Sequence, residues 1–342
     1  MRPFLLITAF FLCTLRTPSL ADAQLPGTEG VTAVFGLGSR LAAFDPQAGK
    51  LTLFEAKGEG LVPGASAAVG ENVWQVAETS QGYLVATGVG RYSLSAPIQL
   101  RLFSKDLSSS RVVFQPQSER AEVTFLSSVG AKVWVAFFDS KYTTKIGFLT
   151  PASSGLWPFT EVASLRLGTA VDVRGDLVVV GRPYGDEQGQ DGDLLLFRNG
   201  ARETLPSYRG VRSVRFFGDA ARPSIAIGDG WHQNYGQFAQ GRLSILSESP
   251  SSGRYALELI DRDESQYSFS KIFELPLNGK RHLVALGPKA VDVYGPEGEW
   301  KRHQAYSRPA EDTIMDAAPL AADGGKTLLV VADKGLRVVA AR

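Results

Sequence analysis

Residues 176–197 read DLVVVGRPYGDEQGQDGDLLLF, and residues 224–246 read SIAIGDGWHQNYGQFAQGRLSIL. Each stretch has a short apolar run, a glycine, a polar loop with aromatic side chains, a second glycine and another apolar run. Shorter versions of the pattern occur five more times along the chain. A unit of this kind cannot bury its own apolar face and must stack against copies of itself. The pattern therefore predicts a repeat architecture.

The apolar runs predict short β-strands, about four to each repeat. They are rich in Val, Leu, Ile and Phe, glycines mark the joints, and no long helical period appears outside the N-terminal segment. Their spacing of about 40 to 50 residues is that of propeller blades. The sequence favours an all-β chain folded as a β-propeller of seven blades, each with about four antiparallel strands. A ring of six or eight blades, a pair of β-sandwiches and a β-solenoid remain open. The runs assigned as second strands are 32–35, 83–86, 133–137, 177–180, 225–227, 283–286 and 327–331.

The two ends of the repeat region look incomplete. The first unit lacks a clear first strand, and the seventh lacks a clear last strand. This leaves open a ring closure in which both ends of the chain share one blade.

Residues 1–23 have the features of an export signal. Arg2 provides a positive start, residues 4–15 form an apolar core, and Ala21-Asp22-Ala23 is a small-x-small cleavage site. The apolar core is shorter than the ~20 residues that span a bilayer, so an uncleaved anchor is the minor alternative. We expect cleavage near Ala23, a secreted or periplasmic location, and a single propeller domain over residues 24–342.

The composition excludes several function classes. The chain has 36 Lys plus Arg and 35 Asp plus Glu, with no dense basic run, which gives no support to binding of nucleic acid or an anionic membrane. The one cysteine, Cys13, lies inside the signal, so no disulfide or thiolate metal site is expected in the mature chain. We expect a monomer without a membrane span.

The repeat resembles the FG-GAP/VCBS type of bacterial propeller repeat, which is related to the integrin α-subunit head. The resemblance is best over residues 172–199 and 219–247 and weaker over 274–295 and 320–340. It implies a role in adhesion, recognition or scaffolding, with no specified ligand. Calcium-binding copies of that family carry a D-x-D-x-D run in a loop, and no unit here has the complete run.

The joints between second and third strands are the expected binding region. In a propeller they lie on the same face as the connections between blades, and long loops on a rigid scaffold usually carry binding sites. The unequal lengths predict a rim that is built up over four consecutive blades and low over the other three. The long joints are 88–97, 139–145, 181–193 and 228–242, and the short ones are 36–40, 287–290 and 333–335.

Two of these loops combine aromatic rings with hydrogen-bonding groups. Such combinations suit sugars, peptides or planar ligands, so the expected partner is a protein, a peptide or a glycan. The alternative is that Trp231 and Tyr235 pack against the neighbouring blade. The candidate ligand-binding residues are Arg182, Tyr184, Asp229, Trp231, His232, Asn234 and Tyr235.

A calcium ion is a further hypothesis for the loop of the fourth unit. Asp186, Asp191 and Asp193, with Glu187 beside them, offer hard oxygen ligands within a short segment. Their spacing is not that of an EF-hand, and acidic glycine-rich loops without metal are common. Ca²⁺ is therefore the one cofactor considered.

No catalytic motif stands out in the sequence. It has no G-x-S-x-G elbow, no H-E-x-x-H and no P-loop. This favours a non-catalytic binding propeller. The alternative is a hydrolase or lyase that acts on a polysaccharide or phosphoester at the channel mouth, using two of Asp139, Asp186 and Asp229 across the pocket.

Overall fold

The computed structural model describes residues 24–88, 98–116, 122–139, 143–182, 194–207, 210–219, 222–229, 241–263, 269–287, 290–307 and 316–339. These residues form seven antiparallel sheets, six of four strands and one of three. Apart from one short 3₁₀ turn at Asp323–Gly325, all their regular structure is β.

The strands follow one another along the chain, and each sheet contains consecutive strands only. Grouped by blade, they are β1 (Ala33–Leu37), β2 (Arg40–Asp45), β3 (Lys50–Lys57) and β4 (Gly60–Ala68) in blade 1; β5 (Val73–Thr79), β6 (Gly82–Thr87), β7 (Gln99–Phe103) and β8 (Ser110–Phe114) in blade 2; β9 (Glu122–Val129), β10 (Lys132–Phe138), β11 (Thr143–Leu149) and β12 (Phe159–Arg166) in blade 3; β13 (Ala170–Arg174), β14 (Leu177–Gly181), β15 (Leu194–Arg198) and β16 (Ala201–Thr204) in blade 4; β17 (Ser213–Phe217), β18 (Ser224–Asp229), β19 (Gly241–Glu248) and β20 (Tyr255–Asp263) in blade 5; β21 (Lys271–Leu277), β22 (Lys280–Leu286), β23 (Ala290–Tyr294) and β24 (Arg302–Ser307) in blade 6; β25 (Asp316–Ala321), β26 (Thr327–Ala332) and β27 (Leu336–Val339) in blade 7.

The first strand of every blade lies at the centre of the ring. Each first strand contacts the first strands of the blades on either side, and β25 of blade 7 returns to contact β1 of blade 1. The seven sheets therefore form a closed ring, and the expected seven-bladed β-propeller is confirmed.

Burial follows the position of a strand in its blade. The second strand β6 is buried along its whole length, because the adjacent blades cover both of its faces. The fourth strand β16, at the outside of the ring, is exposed along its whole length. This difference explains why the second strands are such continuous apolar runs in the sequence, whereas outer strands are hard to recognise.

The N-terminal segment closes the ring by adding to blade 7. Gln24 pairs with Arg337 of β27 as an isolated antiparallel bridge, and the Leu25 N–H donates to the Leu336 carbonyl at 2.8 Å. The Thr28 hydroxyl accepts from the Leu336 N–H at 2.9 Å and donates to the Leu25 carbonyl at 2.6 Å. Both ends of the chain thus share one blade, a closure that the incomplete end units had left open.

The assignment of the first unit was wrong by one strand. The run at 32–35 belongs to β1, the innermost strand, and β2 is the second strand, so blade 1 is complete. The joint at 36–40 is consequently a turn between first and second strands, on the face opposite to the expected rim. The error arose because β1 is as apolar as the second strands.

The expected export signal, residues 1–23, lies outside the described residues. Among the residues that are described, no helix is long and apolar enough to cross a membrane.

Candidate functional site

We call loop face the end of the propeller that carries the joints between second and third strands and the connections between blades. The strand bounds make three of these joints long, in blades 2, 4 and 5: residues 88–98, 182–193 and 230–240. The joints of blades 1, 3, 6 and 7 are short: residues 46–49, 139–142, 287–289 and 333–335. The expected long joint of blade 3 was wrong, because β11 begins at Thr143 and leaves only residues 139–142 between the two strands.

Two of the candidate ligand-binding residues lie at the bases of long loops. Arg182 follows β14 directly and is buried, and its carbonyl accepts from the Val211 N–H at 3.1 Å. Asp229 is the last residue of β18, opposite Arg242 of β19, and is fully buried. Both residues occupy positions from which they anchor the start of a loop.

The remaining candidates lie outside the described residues. They are Tyr184, Trp231, His232, Asn234 and Tyr235 for ligand binding, and Asp186, Glu187, Asp191 and Asp193 for calcium. Their proposed roles stay predictions. Within the described part of the chain, no group of three His, Cys, Asp or Glu side chains is placed to hold a metal ion.

Asp139, a candidate for the catalytic alternative, supports the short joint of blade 3. Its Oδ1 accepts from the Thr143 N–H at 3.0 Å, and its own N–H donates to the Thr143 carbonyl at 2.9 Å. These two bonds close the joint between β10 and β11, which gives Asp139 a structural role.

A cavity of about 570 Å³ occupies the central channel. Residues from the first strands of all seven blades line it. The sequence did not single out this cavity, because its lining comes from residues scattered over some three hundred positions and only ring closure brings them together.

One side of the channel is aromatic. Phe35, Trp74 and Phe125 come from the adjacent blades 1, 2 and 3, and all three line the cavity. Each of these residues is half-buried and packs against an apolar cluster between blades.

The other side of the channel carries ion pairs. Lys271 and Asp316, the first residues of β21 and β25, form a pair with Nζ and Oδ1 2.7 Å apart. The other carboxylate oxygen of Asp316 accepts from the Val34 N–H of blade 1 at 3.0 Å. Glu274 lies 3.4 Å from the Arg281 guanidinium and 3.9 Å from that of Arg174.

Asp172 joins blades 4 and 5 beside the channel. Its carboxylate accepts from the Phe216 N–H at 2.7 Å and from the Arg215 guanidinium at 3.1 Å. Burial raises the pKa of Asp172 above the ordinary carboxyl range, although Arg215 and the Phe216 N–H oppose that shift.

Comparisons with known proteins identify the fold but no family. No family model matches the sequence, and no curated protein matches it. Among solved structures, the Cps50 (Swd1) β-propeller domain of Myceliophteria thermophila superimposes with a TM-score of 0.60 and 11% identity, over 94% of this chain and 98% of that one. The N-terminal domain of Nup159 gives a TM-score of 0.57 and 15% identity, over 94% of both chains.

A third similar structure is that of Sqt1 from Chaetomium thermophilum, bound to the N-terminus of the ribosomal protein L10. It has a TM-score of 0.53 and 13% identity, over 90% of this chain and 83% of that one. The similar structures are propellers of the WD40 type, so membership of the FG-GAP/VCBS repeat family is not confirmed. At these identities the likeness shows the seven-bladed fold alone.

Proposed function

We propose that this protein is an exported, non-catalytic β-propeller that binds a protein or peptide on its loop face. The observation that carries the proposal is the concentration of the three long joints in blades 2, 4 and 5, around one end of the channel. A rigid ring that supports long, unequal loops on one face is the usual arrangement of a binding module.

Blade-to-blade packing rests on apolar residues of the strands. Loop sequence can therefore change at little cost to the fold. The long loops account for most of the polar and aromatic residues that the sequence marked as candidates.

We assign the direct contacts to Trp231 and Tyr235, with His232 and Asn234 as hydrogen-bonding groups. Arg182 and Asp229, which are buried at the loop bases, hold the loops in position. Rigid aromatic rings give large contact areas at a low entropic cost, which is why they dominate binding hot spots.

The similar structures supply a precedent for the class of partner. The propeller Sqt1 is described as bound to the N-terminus of a ribosomal protein, and Nup159 occurs in a structure with Dbp5 and Gle1. A protein or peptide is accordingly our first choice, and a glycan is the outcome that the experiment below would separate from it.

Export is supported by the N-terminal segment. Cleavage after Ala23 would leave Gln24 as the first residue, and Gln24 is the residue that pairs with β27 at ring closure. Such cleavage would remove the apolar core and keep every residue of the closure. Mass spectrometry of the exported protein should give a chain that starts at Gln24, and an uncut chain would contradict the assignment.

The test of binding uses the double variant Trp231→Ala/Tyr235→Ala. The chain from Gln24 is immobilised, and proteins captured from the source's envelope extract are identified and quantified, in parallel with a glycan array. The matched control is Leu156→Ala, which removes an exposed apolar side chain from the joint between β11 and β12 on the opposite face.

We expect a partner that is captured by the parent protein and the control and is lost from the double variant, with unchanged melting temperatures. A partner retained by the double variant would contradict the loop-face site. A binding signal confined to the glycan array would reassign the ligand class, and a large loss of stability would show that Trp231 and Tyr235 pack within the fold.

A further inference from the structure

We infer that the central channel is a second binding site, which takes a small planar aromatic molecule bearing one anionic group. The cavity of about 570 Å³ falls within the range of small-molecule sites, which hold about 300 to 1,000 Å³. Its walls are fixed strands, so the site is formed before a ligand arrives. This inference does not depend on the proposed partner of the loop face.

The aromatic body of the ligand would lie against blades 1 to 3. Phe35, Trp74 and Phe125 are held by packing against the apolar clusters between blades, and all three also line the cavity. Three such rings on adjacent blades favour a flat apolar molecule through burial and ring–ring contact.

The anionic group would bind at Lys271 of blade 6 or at Arg215 of blade 5, because these cations are the accessible members of their ion pairs. The Lys271 side chain is 37% exposed, against 19% for Asp316. Arg215 is 44% exposed, against 6% for Asp172. The acids are covered by donors, whereas Lys271 and Arg215 keep accessible surface and line the cavity.

The two cations also keep unused hydrogen-bond donors. An ammonium group has three donors, and Lys271 uses two of them, on Asp316 and on the Val34 carbonyl. A guanidinium has five, and Arg215 gives one to Asp172. A ligand carboxylate could therefore accept a charge-assisted bond from Lys271 or from Arg215 without breaking the ion pair of that cation.

The inference predicts a preference that can be measured with two matched probes. 2-Naphthoate carries the carboxylate, and 2-naphthamide replaces it by a neutral group of nearly the same shape. Isothermal titration of the chain from Gln24 should show one site, with naphthoate bound at least about tenfold more tightly than naphthamide.

Two sets of variants locate the site. Thr124→Trp enlarges a half-buried residue in the lining and should weaken naphthoate about tenfold or more, whereas Ser66→Trp on the exposed strand β4 should have no effect. Lys271→Gln/Arg215→Gln should remove the preference for naphthoate and keep the binding of naphthamide. Melting temperatures identify any variant that fails to fold, and if Thr124→Trp does so, the double cation variant alone decides.

The loop variant Trp231→Ala/Tyr235→Ala should bind naphthoate like the parent protein, which separates this site from the loop face. Three results would overturn the inference. They are no binding of naphthoate below about 1 mM, equal affinity for the two probes, and binding that persists unchanged in Thr124→Trp.

Discussion

The interface between blades 2 and 3 and the interface between blades 4 and 5 hold the ring together in different ways. At the first, Phe114 of blade 2 packs between Phe137 and Phe159 of blade 3, with ring centroids 5.7 and 5.6 Å apart. Trp157 is fully buried, and its backbone N–H donates to the Val113 carbonyl across the interface at 2.6 Å. This interface is predominantly aromatic.

At the interface between blades 4 and 5, charged side chains bond to the backbone of the next blade. Asp172 accepts from the Phe216 N–H, and the Arg174 guanidinium donates to the Phe216 and Gly218 carbonyls, both at 3.1 Å. An apolar cluster lies behind these bonds as well. Equivalent blade contacts can thus be built from rings or from buried charge, and we expect only the second kind to depend on pH.

The largest expected effect on stability is at the aromatic interface between blades 2 and 3. Trp157→Ala removes a buried indole and leaves a cavity, and we expect a loss of about 3–5 kcal/mol in the free energy of unfolding. Chemical denaturation measures it. Leu156→Ala, the exposed neighbour, is the control and should change stability by less than about 0.5 kcal/mol. An equal loss in both variants would contradict the packing described.

A smaller loss of stability is expected at the charged interface between blades 4 and 5. Asp172→Ala leaves the buried Phe216 N–H without an acceptor, and we expect a cost of about 1–3 kcal/mol. Asp172→Asn keeps one acceptor oxygen in place and should cost clearly less. If the two variants were equally stable, the hydrogen bond to the Phe216 N–H would contribute nothing measurable.

The charged interface should also make the stability of the protein depend on pH, which the aromatic interface does not. Because burial raises the pKa of Asp172, the native state holds this proton to higher pH than the unfolded chain does. The contribution of Asp172 to stability should therefore fall as pH rises from about 4, the unfolded value, through the native pKa, and then level off. Denaturation of the parent and Asp172→Asn across this range gives the difference, and a difference independent of pH would contradict the raised pKa.

Ring closure is a third kind of contact, which is built on backbone hydrogen bonds between the N-terminal segment and β27. Thr28→Val keeps the shape of the side chain but removes the acceptor for the buried Leu336 N–H, and we expect a loss of about 1–2 kcal/mol. Thr32→Val, in the segment that leads into β1, is a half-buried control at which little change is expected. Equal melting temperatures for the parent and Thr28→Val would show that closure does not depend on this bond.

The smallest effect is expected for an exposed ion pair on the outer part of blade 3. Lys145 and Glu161 lie 3.9 Å apart with more than a third of each side chain exposed. Glu161→Gln should change the free energy of unfolding by less than about 0.5 kcal/mol, because solvent screens such pairs. A larger change would mean that charge on the exposed surface contributes to stability as buried charge does at Asp172.

The fold could be predicted from the sequence because second strands are buried on both faces and therefore stay apolar in every blade. Leu177–Gly181 and Ser224–Asp229 are examples, and their spacing gave the blade count. The first blade was misassigned because β1 is also apolar, and apolar character alone does not distinguish a first strand from a second. Loop length at blade 3 was overestimated because Thr143–Leu149 begins with polar residues.

The sites could be predicted only in part. Long loops are visible as glycine-bounded polar segments, so the loop face was accessible to sequence reasoning. The channel was not, because side chains as distant as Phe35 and Lys271 share a cavity only after the ring closes. Likewise, nothing in the sequence near Asp172 shows that it bonds to Phe216 of the next blade.

The most direct test of the loop-face proposal is a loop transplant. Residues 230–240 of blade 5 are replaced by Gly287-Pro288-Lys289, the short joint that occupies the same place in blade 6. We predict that the transplanted protein keeps its melting temperature within a few degrees and loses capture of the partner that the parent protein binds. Capture at parental levels by the folded transplant would contradict the assignment of binding to the long loops.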